Sequence, residues 1–457
     1  MRRAPRPMRA SVAHRSVAAS RVTRPAVRRA AGYAFLVPLF LLFWVIFYQN
    51  LPGALNGVEF KPIHTEGTID RIIKICMIGI SGAVLSARWS DARLLVKNVN
   101  PGLVAFMVLI PLSAAWSIDS AATLLRYTTL LSIVLLCLVI PLAGWDRLRL
   151  QQMTLPPVMT ILVLSLAVGI VSPDLVKEIG SDISLKDAWH GITYQKNQLG
   201  TTASIATILC VHNWLAPGRH TFLTIAGAAI ALTCLYLSKS STSLMSMGLA
   251  VFFMTLMLWV PVIKRRFSTH LVVGLFTTIL IYELAVQNLI PGVGTLLAPV
   301  MHLTGKDMTF SARSIIWDVI KEHSRAAPWL GTGYGAYWTG PTPSSPSYVF
   351  MYLMNFYPTE SHNGYLEILN DLGRVGLVCL LAFLVCFVRQ ALQLLPIDRG
   401  QAVLYLALLF QQMVDNLSES EWFSRTATCT ILLLASICLS RALSEQRASG
   451  TAASIGR

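Results

Sequence analysis

Charge is what this chain has least of: Asp, Glu, Lys and Arg together make up 13% of its 457 residues, about half the roughly 25% found in an ordinary soluble domain. That scarcity excludes a soluble globular enzyme. Acids are rarer than bases, 22 against 37, and the net charge of +15 would suit a nucleic-acid binder if the bases clustered on a polar fold. They lie instead between apolar blocks, so nucleic acid is not an expected partner. The hydrophilic loops lack cysteine altogether: Cys76, Cys137, Cys210, Cys234, Cys379, Cys386, Cys429 and Cys438 all fall inside apolar blocks, where they act as small hydrophobes. With no C-x-x-C and no H-E-x-x-H, neither a disulfide framework nor a metal site is signalled. Rossmann and Walker patterns are missing too, as is any internal repeat.

What fills the chain is hydrophobic sequence, 54% of it, gathered into blocks at 32–49, 71–88, 101–118, 121–143, 154–172, 197–215, 220–237, 241–263, 269–289, 364–388, 401–416 and 427–443. Such blocks are about long enough to cross a bilayer as helices. They predict an all-α polytopic membrane protein with about 12 transmembrane helices; the eleventh block is the least marked. Residues 1–31 hold nine arginines and no acid, a composition like a transit peptide, but the long apolar block behind them and the want of a cleavage site predict an uncleaved first helix. If the N-terminus is cytoplasmic, the loops and tails on that side carry most of the Lys and Arg, as the positive-inside rule demands. Both termini are therefore expected in the cytoplasm. The chain divides into a basic tail (1–31), helices one to nine (32–289), one large outward loop (290–363), helices ten to twelve (364–443) and a second cytoplasmic tail (444–457).

Ionisable residues at membrane depth usually mark function. Arg126 lies in the fourth block. Glu367, Asp371 and Arg374, spaced four and three apart, fall on one face of the tenth, where they make either a self-neutralising cluster or a site. At the outer boundary stand Lys196, with Asn197 beside it in GITYQKNQLG, Lys239 in LSKSSTSL, and Arg313 in the large loop. Each alone reads as a cation snorkelling to the headgroups; together they suit a lipid-linked diphosphate, which Arg forks and Lys point charges hold well. His362 precedes the tenth helix, flanked by Glu360, Asn363 and Tyr365. A neutral imidazole there takes a proton from a hydroxyl near pH 7 without a metal; a helix-capping histidine is the plainer reading. In helical phase His362 projects away from Glu367. Arg313 and Trp317, four apart, share a face on which a guanidinium meets phosphate while an indole stacks on sugar or packs on the membrane. Gly331, Gly333 and Gly335 in GTGYGAY permit tight turns or close backbone approach.

The segment SARSIIWDVIKEHSRAAPWLGTGYGAYW, followed by ESHNGYLEILNDLGRVGL, resembles the signature region of the O-antigen ligase and polymerase superfamily, particularly its ExoQ-like exopolysaccharide branch. AAWSIDSAATLLR, GITYQKNQLG and LSKSSTSL resemble its other recurrent patches. The resemblance implies a GT-C-like, metal-independent, cofactor-free glycosyltransferase of the bacterial inner membrane. It implies action on undecaprenyl-diphosphate-linked glycan at the periplasmic face, with the large loop periplasmic. The family's essential arginine and histidine fall on Arg313 and His362; the diphosphate and substrate set becomes Arg126, Lys196, Asn197, Lys239, Trp317, Glu360, Tyr365 and Glu367. Lys196 and Lys239 stand where relatives often have Arg. The expected reaction is polymerisation of lipid-linked repeat units; transfer of a finished glycan to lipid A core or another acceptor is the alternative, and a lipid-linked sugar transporter is a third reading from another class. Besides membrane lipids, candidate partners are a flippase and a chain-length regulator.

Overall fold

The structure, a computed structural model, describes residues 25–49, 68–144, 149–178, 187–215, 222–286, 311–354 and 357–455. Its helices are α1 (Pro25–Tyr48), α2 (Thr68–Ala87), α3 (Trp89–Val96), α4 (Pro101–Ser113), α5 (Ser120–Gly144), α6 (Leu150–Val171), α7 (Lys196–Leu215), α8 (Phe222–Leu237), α9 (Ser241–Trp259), α10 (Ser268–Val286), α11 (Ser311–Ala326), α12 (Val349–Met354), α13 (Gly364–Leu394), α14 (Arg399–Asp415) and α15 (Ala427–Ile455). Among the described residues there is no strand beyond an isolated bridge, Lys177 to Trp189. The protein is all-helical. Among the described residues, five segments are long and apolar enough to cross a membrane: Ser120–Ala143, Leu150–Val171, Ser241–Trp259, Gly364–Leu394 and Ala427–Arg447. The bent pair α2 and α3 makes a sixth if taken as one span.

Local chemistry sets the helix starts. Asn100 accepts from the amides of Gly102 and Leu103 at 2.9 and 3.4 Å, while Pro101 occupies the first turn, where its missing N–H costs nothing. The same Asn100 donates to the Phe383 carbonyl at 2.9 Å, tying α4 to α13. Asn363 caps α13 through the Tyr365 and Leu366 amides, and Asp398 caps α14 through Gln401.

The connections collect at two ends of the bundle. At one, Arg149 pairs with Asp398, Gln390 donates to the Asn98 carbonyl, and Arg399 reaches Met257 and Ser268. At the other, Gln198 donates to Gln49, Trp116 to Leu330, and the Gly364 amide to Asn416. Helix α14 runs through the middle, buried at every residue from Gln401 to Asp415. Its glutamines are not wasted there: Gln401 bonds Gln151, Gln411 bonds Asp415 and Gln412 bonds Glu421, so their burial leaves satisfied amides rather than orphans.

Two expectations need correction. Residues 89–100, read as a plain loop, contain α3, which turns 101° from α2 and buries Ala92 and Leu95 while its charged residues stay outside. And Glu367, Asp371 and Arg374 do not share one helical face, because α13 breaks at Gly373 (φ 63°). Past that break the Arg374 guanidinium lies over the Trp329 ring, 5.1 Å from its centroid. The basic tail up to residue 24, residues 50–67 and the first part of the large loop, 287–310, lie outside the described residues.

Candidate functional site

The large loop returns to the bundle through α11, an amphipathic helix whose Ile316, Trp317 and Ile320 are buried against Tyr337, Trp338, Phe350 and Leu366. Apolar residues at i, i+1 and i+4 dictate this docking, and it carries Arg313 to the start of α13. Trp317 Nε1 donates to the Ser361 carbonyl at 3.0 Å, so the indole anchors the segment before His362.

That segment is tightly held. Ser361 Oγ donates to the Asn363 carbonyl at 2.8 Å and shares a hydrogen bond with Ser420 at 2.9 Å; the Ser361 amide donates to Glu367 Oε2 at 3.0 Å. Between them His362 adopts φ 51°, a left-handed conformation that costs a side-chain-bearing residue about 1–2 kcal/mol and persists only where its surroundings impose it.

Around the imidazole three charged groups converge. Nδ1 lies 3.3 Å from Glu360 Oε1 and 3.6 Å from Glu419 Oε2, and Arg313 Nη2 reaches Glu419 Oε1 at 3.2 Å. Asn197 donates to that same Glu419 oxygen at 2.6 Å, and Gln195 to the other at 3.4 Å. His362 Nε2 makes no hydrogen bond among the described residues. Glu419 is the most enclosed member, its side chain 7% exposed against 21% for His362 and 24% for Glu360.

The two carboxyls differ in proton affinity. Burial, reinforced by the neighbouring Glu419 carboxylate, pushes Glu360 well above the usual carboxylate range. Burial opposes charge on Glu419 as well, but His362, Arg313 and the hydrogen bond from Glu360 outweigh it and hold Glu419 below its ordinary value. Nearby Glu421 is pushed up to about 7 by burial, against the hydrogen bonds from Thr428 and Gln412 that favour its charge. The site thus sets an imidazole beside two carboxyls whose proton affinities are pushed in opposite directions, Glu360 up and Glu419 down, with Nδ1 close to both but hydrogen-bonded to neither. Glu360, His362 and Glu419 each offer a ligand atom within 4.8 Å of the others, a spacing that suits a cation. The Arg313 guanidinium on Glu419 already supplies positive charge there.

Of the residues singled out in sequence, the structure gathers His362, Glu360, Arg313, Trp317, Asn197 and Glu367 around 360–363. Lys196 opens α7 next to Asn197. Lys239 precedes α9, whose Ser243 lies 3.3 Å from Thr201 of α7, so both lysines stand at the site end. Tyr365 turns elsewhere: its hydroxyl donates to the Met413 carbonyl at 3.2 Å and its ring meets Trp422. Arg126 gives its guanidinium to the carbonyls of Gly335 and Trp338, while the Gly335 amide donates to Asp371 at 2.6 Å. Arg126 and Asp371 therefore grip Gly335 from two sides, one at its carbonyl and the other at its amide. Gly335 (φ 65°) leaves no room for a Cβ, which would meet Arg126 Cδ at 2.3 Å; its close approach is to a protein side chain, not a ligand.

Glu419 and Glu421 were missed by sequence reasoning. The signal was present in SESE, acids packed into the short connection between two apolar blocks, but nothing local says that this connection meets a loop 60 residues earlier.

Residues 226–381 match the O-antigen ligase family, a range that contains Arg313, Glu360 and His362. Over that stretch the chain is similar to O-antigen ligases. The exopolysaccharide production protein ExoQ of Rhizobium meliloti (strain 1021) is 26% identical over 235 residues, 48% of this chain and 52% of ExoQ. The chain thus spans about half the length of that relative. Asn197 and Glu419 lie outside the matched range, on either side of it, and Glu419 joins Asn197 to His362 and Arg313.

Proposed function

We propose that the protein is a polymerase that joins undecaprenyl-diphosphate-linked oligosaccharide repeat units at the periplasmic face of the bacterial inner membrane. In this reading the helices make twelve spans, both tails are cytoplasmic, and residues 290–363 form one periplasmic loop. The growing chain is the donor. The hydroxyl of a new lipid-linked repeat attacks the donor's anomeric carbon, a C–O bond forms, the bond to the diphosphate oxygen breaks, and the hydroxyl proton passes to His362. Because Nδ1 faces Glu360 and Glu419, Nε2 is the nitrogen that receives it. Glu419 steadies the resulting imidazolium, an electrostatic role that fixed groups in a poorly solvated site fill well. Arg313 offers further N–H groups of its fork to the departing diphosphate, with Lys196 and Lys239 as added positive charge. Arg126 and Glu367 hold the loop and the 360–363 segment.

The observation that carries this reading is the placement of His362 Nδ1 between two carboxyls, one of them tied to Arg313. The donor bond stores the energy, so no nucleotide need enter. The family match also favours a second reading, in which the same machinery passes the finished glycan to lipid A core or another acceptor. A flippase and a chain-length regulator are the partners a polymerase requires.

Purified protein in nanodiscs, given lipid-diphosphate-linked repeats with EDTA and no nucleotide, lengthens them and releases lipid diphosphate. Transfer only to an added core acceptor identifies the ligase. Movement of the lipid-linked unit between leaflets without any transfer identifies a transporter and ends the enzymatic reading.

A further inference from the structure

Away from the site, α10 and α13 diverge. Helix α10 leans on α14 and leaves a furrow against the last three turns of α13, a cavity of about 530 Å³ walled by Val273, Phe276, Val385, Val388 and Leu392. Its volume lies within the range of ligand-sized pockets. The walls are hydrocarbon, and Val273 and Val385 are 45% and 46% exposed, so in a bilayer the furrow opens to lipid chains.

One end is not apolar. Arg389 and Gln393 close it, and Arg389 has no ion pair or hydrogen bond among the described residues. No acid lies on α13 beyond Gly373, and α10 carries only Glu283, about two helical turns from Phe276 toward the site end. Asp398, the next acid along the chain, is taken by Arg149. The turn leading into α10 adds Lys264, Arg265 and Arg266, all exposed, with exposed Val262 and Phe267 beside them. A hydrocarbon slot ending in a cluster of unneutralised cations matches an amphiphile with one negative head.

We propose that this furrow binds an anionic phospholipid, its acyl chain along α10 and α13 and its phosphate on Arg389, with the 264–266 run as the surrounding positive field. The site stands apart from His362 and does not depend on the reaction assigned there. Each basic residue near a membrane surface strengthens attraction to anionic lipid by roughly fivefold in affinity, and a phosphate placed on a single guanidinium at the end of the slot makes Arg389 the residue whose loss is felt most.

The test is lipid retention by mass spectrometry on full-length protein exchanged into nanodiscs of mixed phosphatidylglycerol and phosphatidylethanolamine, then released gently. Wild type retains phosphatidylglycerol over phosphatidylethanolamine. Arg389→Ala lowers that retention about fivefold or more, Arg389→Lys keeps most of it, and Arg88→Ala, at the bend between α2 and α3, leaves it unchanged. Thr277 also lines the furrow; Thr277→Trp fills it without touching charge, expels the lipid and covers the case in which Arg389→Ala fails to fold. Equal retention of both lipids by wild type, or of phosphatidylglycerol by Thr277→Trp, overturns the proposal. Cross-linking of furrow residues between two copies of the chain would do so too, by showing that protein covers the slot.

Discussion

Glu421 offers the sharpest quantitative test. Its side chain is 7% exposed and its Oε2 accepts from Gln412 Nε2 at 3.1 Å and Thr428 Oγ1 at 2.7 Å. Burial raises it from 4.5 to about 7, so between those values the folded protein holds a proton that the unfolded chain has released. The folded state then binds more protons, and stability falls as pH rises through this window. At about 1.4 kcal/mol per pH unit, the group's contribution amounts to roughly 3 kcal/mol, present at pH 4.5 and lost by pH 8. Glu421→Gln removes it: the amide oxygen has two lone pairs and accepts both hydrogen bonds without charge. The assay is thermal unfolding in detergent, followed by tryptophan fluorescence at pH 5, 6, 7 and 8. Wild type loses stability toward pH 8 while Glu421→Gln stays flatter and exceeds it at the alkaline end. Glu360, also raised, leaves a residual slope of the same sign, whereas Glu419, lowered, contributes stability that disappears only as pH falls below the ordinary carboxylate range. Identical slopes for wild type and Glu421→Gln would refute the assignment of a buried neutral acid.

Other expectations follow from the same contacts. His362→Ala lowers turnover by about 10²- to 10⁴-fold, the loss expected for a general base, with lipid-donor binding retained; His362→Gln keeping wild-type rates would show that the ring transfers no proton. Arg313→Ala abolishes product while leaving folded protein, and Arg313→Lys recovers little because the planar fork is gone; product yield and size-exclusion profile read this together. Arg126→Ala lowers thermal stability along with activity, since each buried carbonyl it leaves unpaired costs about 1–3 kcal/mol; activity lost at unchanged stability would move Arg126 into the diphosphate site. Single cysteines at Ser344 and Ser90, in a background without the native ones, react differently with an impermeant thiol reagent in intact cells: Ser344 labels, and labelling at Ser90 inverts the orientation.

Much of the architecture could be read from hydropathy, because in a membrane protein the pattern of apolar blocks and basic loops is itself the fold. Each of the blocks from 71–88 to 427–443 contains a helix where one was expected. The break at Gly373 was not legible: nothing in LNDLGRVGL distinguishes a glycine inside a helix from one at φ 63°, and only the Trp329 backbone pressed against it, 2.3 Å from where a Cβ would stand, settles the matter. The site was half legible. Histidine and arginine carry their chemistry in their side chains and stood out as isolated polar groups, whereas Glu419 acquires its role from a contact between loops 57 residues apart, which composition and spacing do not encode. Asn197 lay between these cases, marked by its patch but joined to the histidine only through Glu419.

The glutamine-bearing α14 has a consequence for how the chain enters the membrane. Alone in lipid, Gln401, Gln411 and Gln412 would leave amides facing hydrocarbon, and α14 is not among the segments apolar enough to span by themselves. Its partners come from both directions in the chain: Gln151 is made long before it, Glu421 just after. Synthesis therefore reaches a point at which eleven blocks are out but α14 is unfinished business for the bilayer, and α15 must follow before it settles. A released chain truncated after Ser424 should leave the 401–415 segment accessible to a water-soluble thiol reagent, and one that continues beyond residue 447 should protect it.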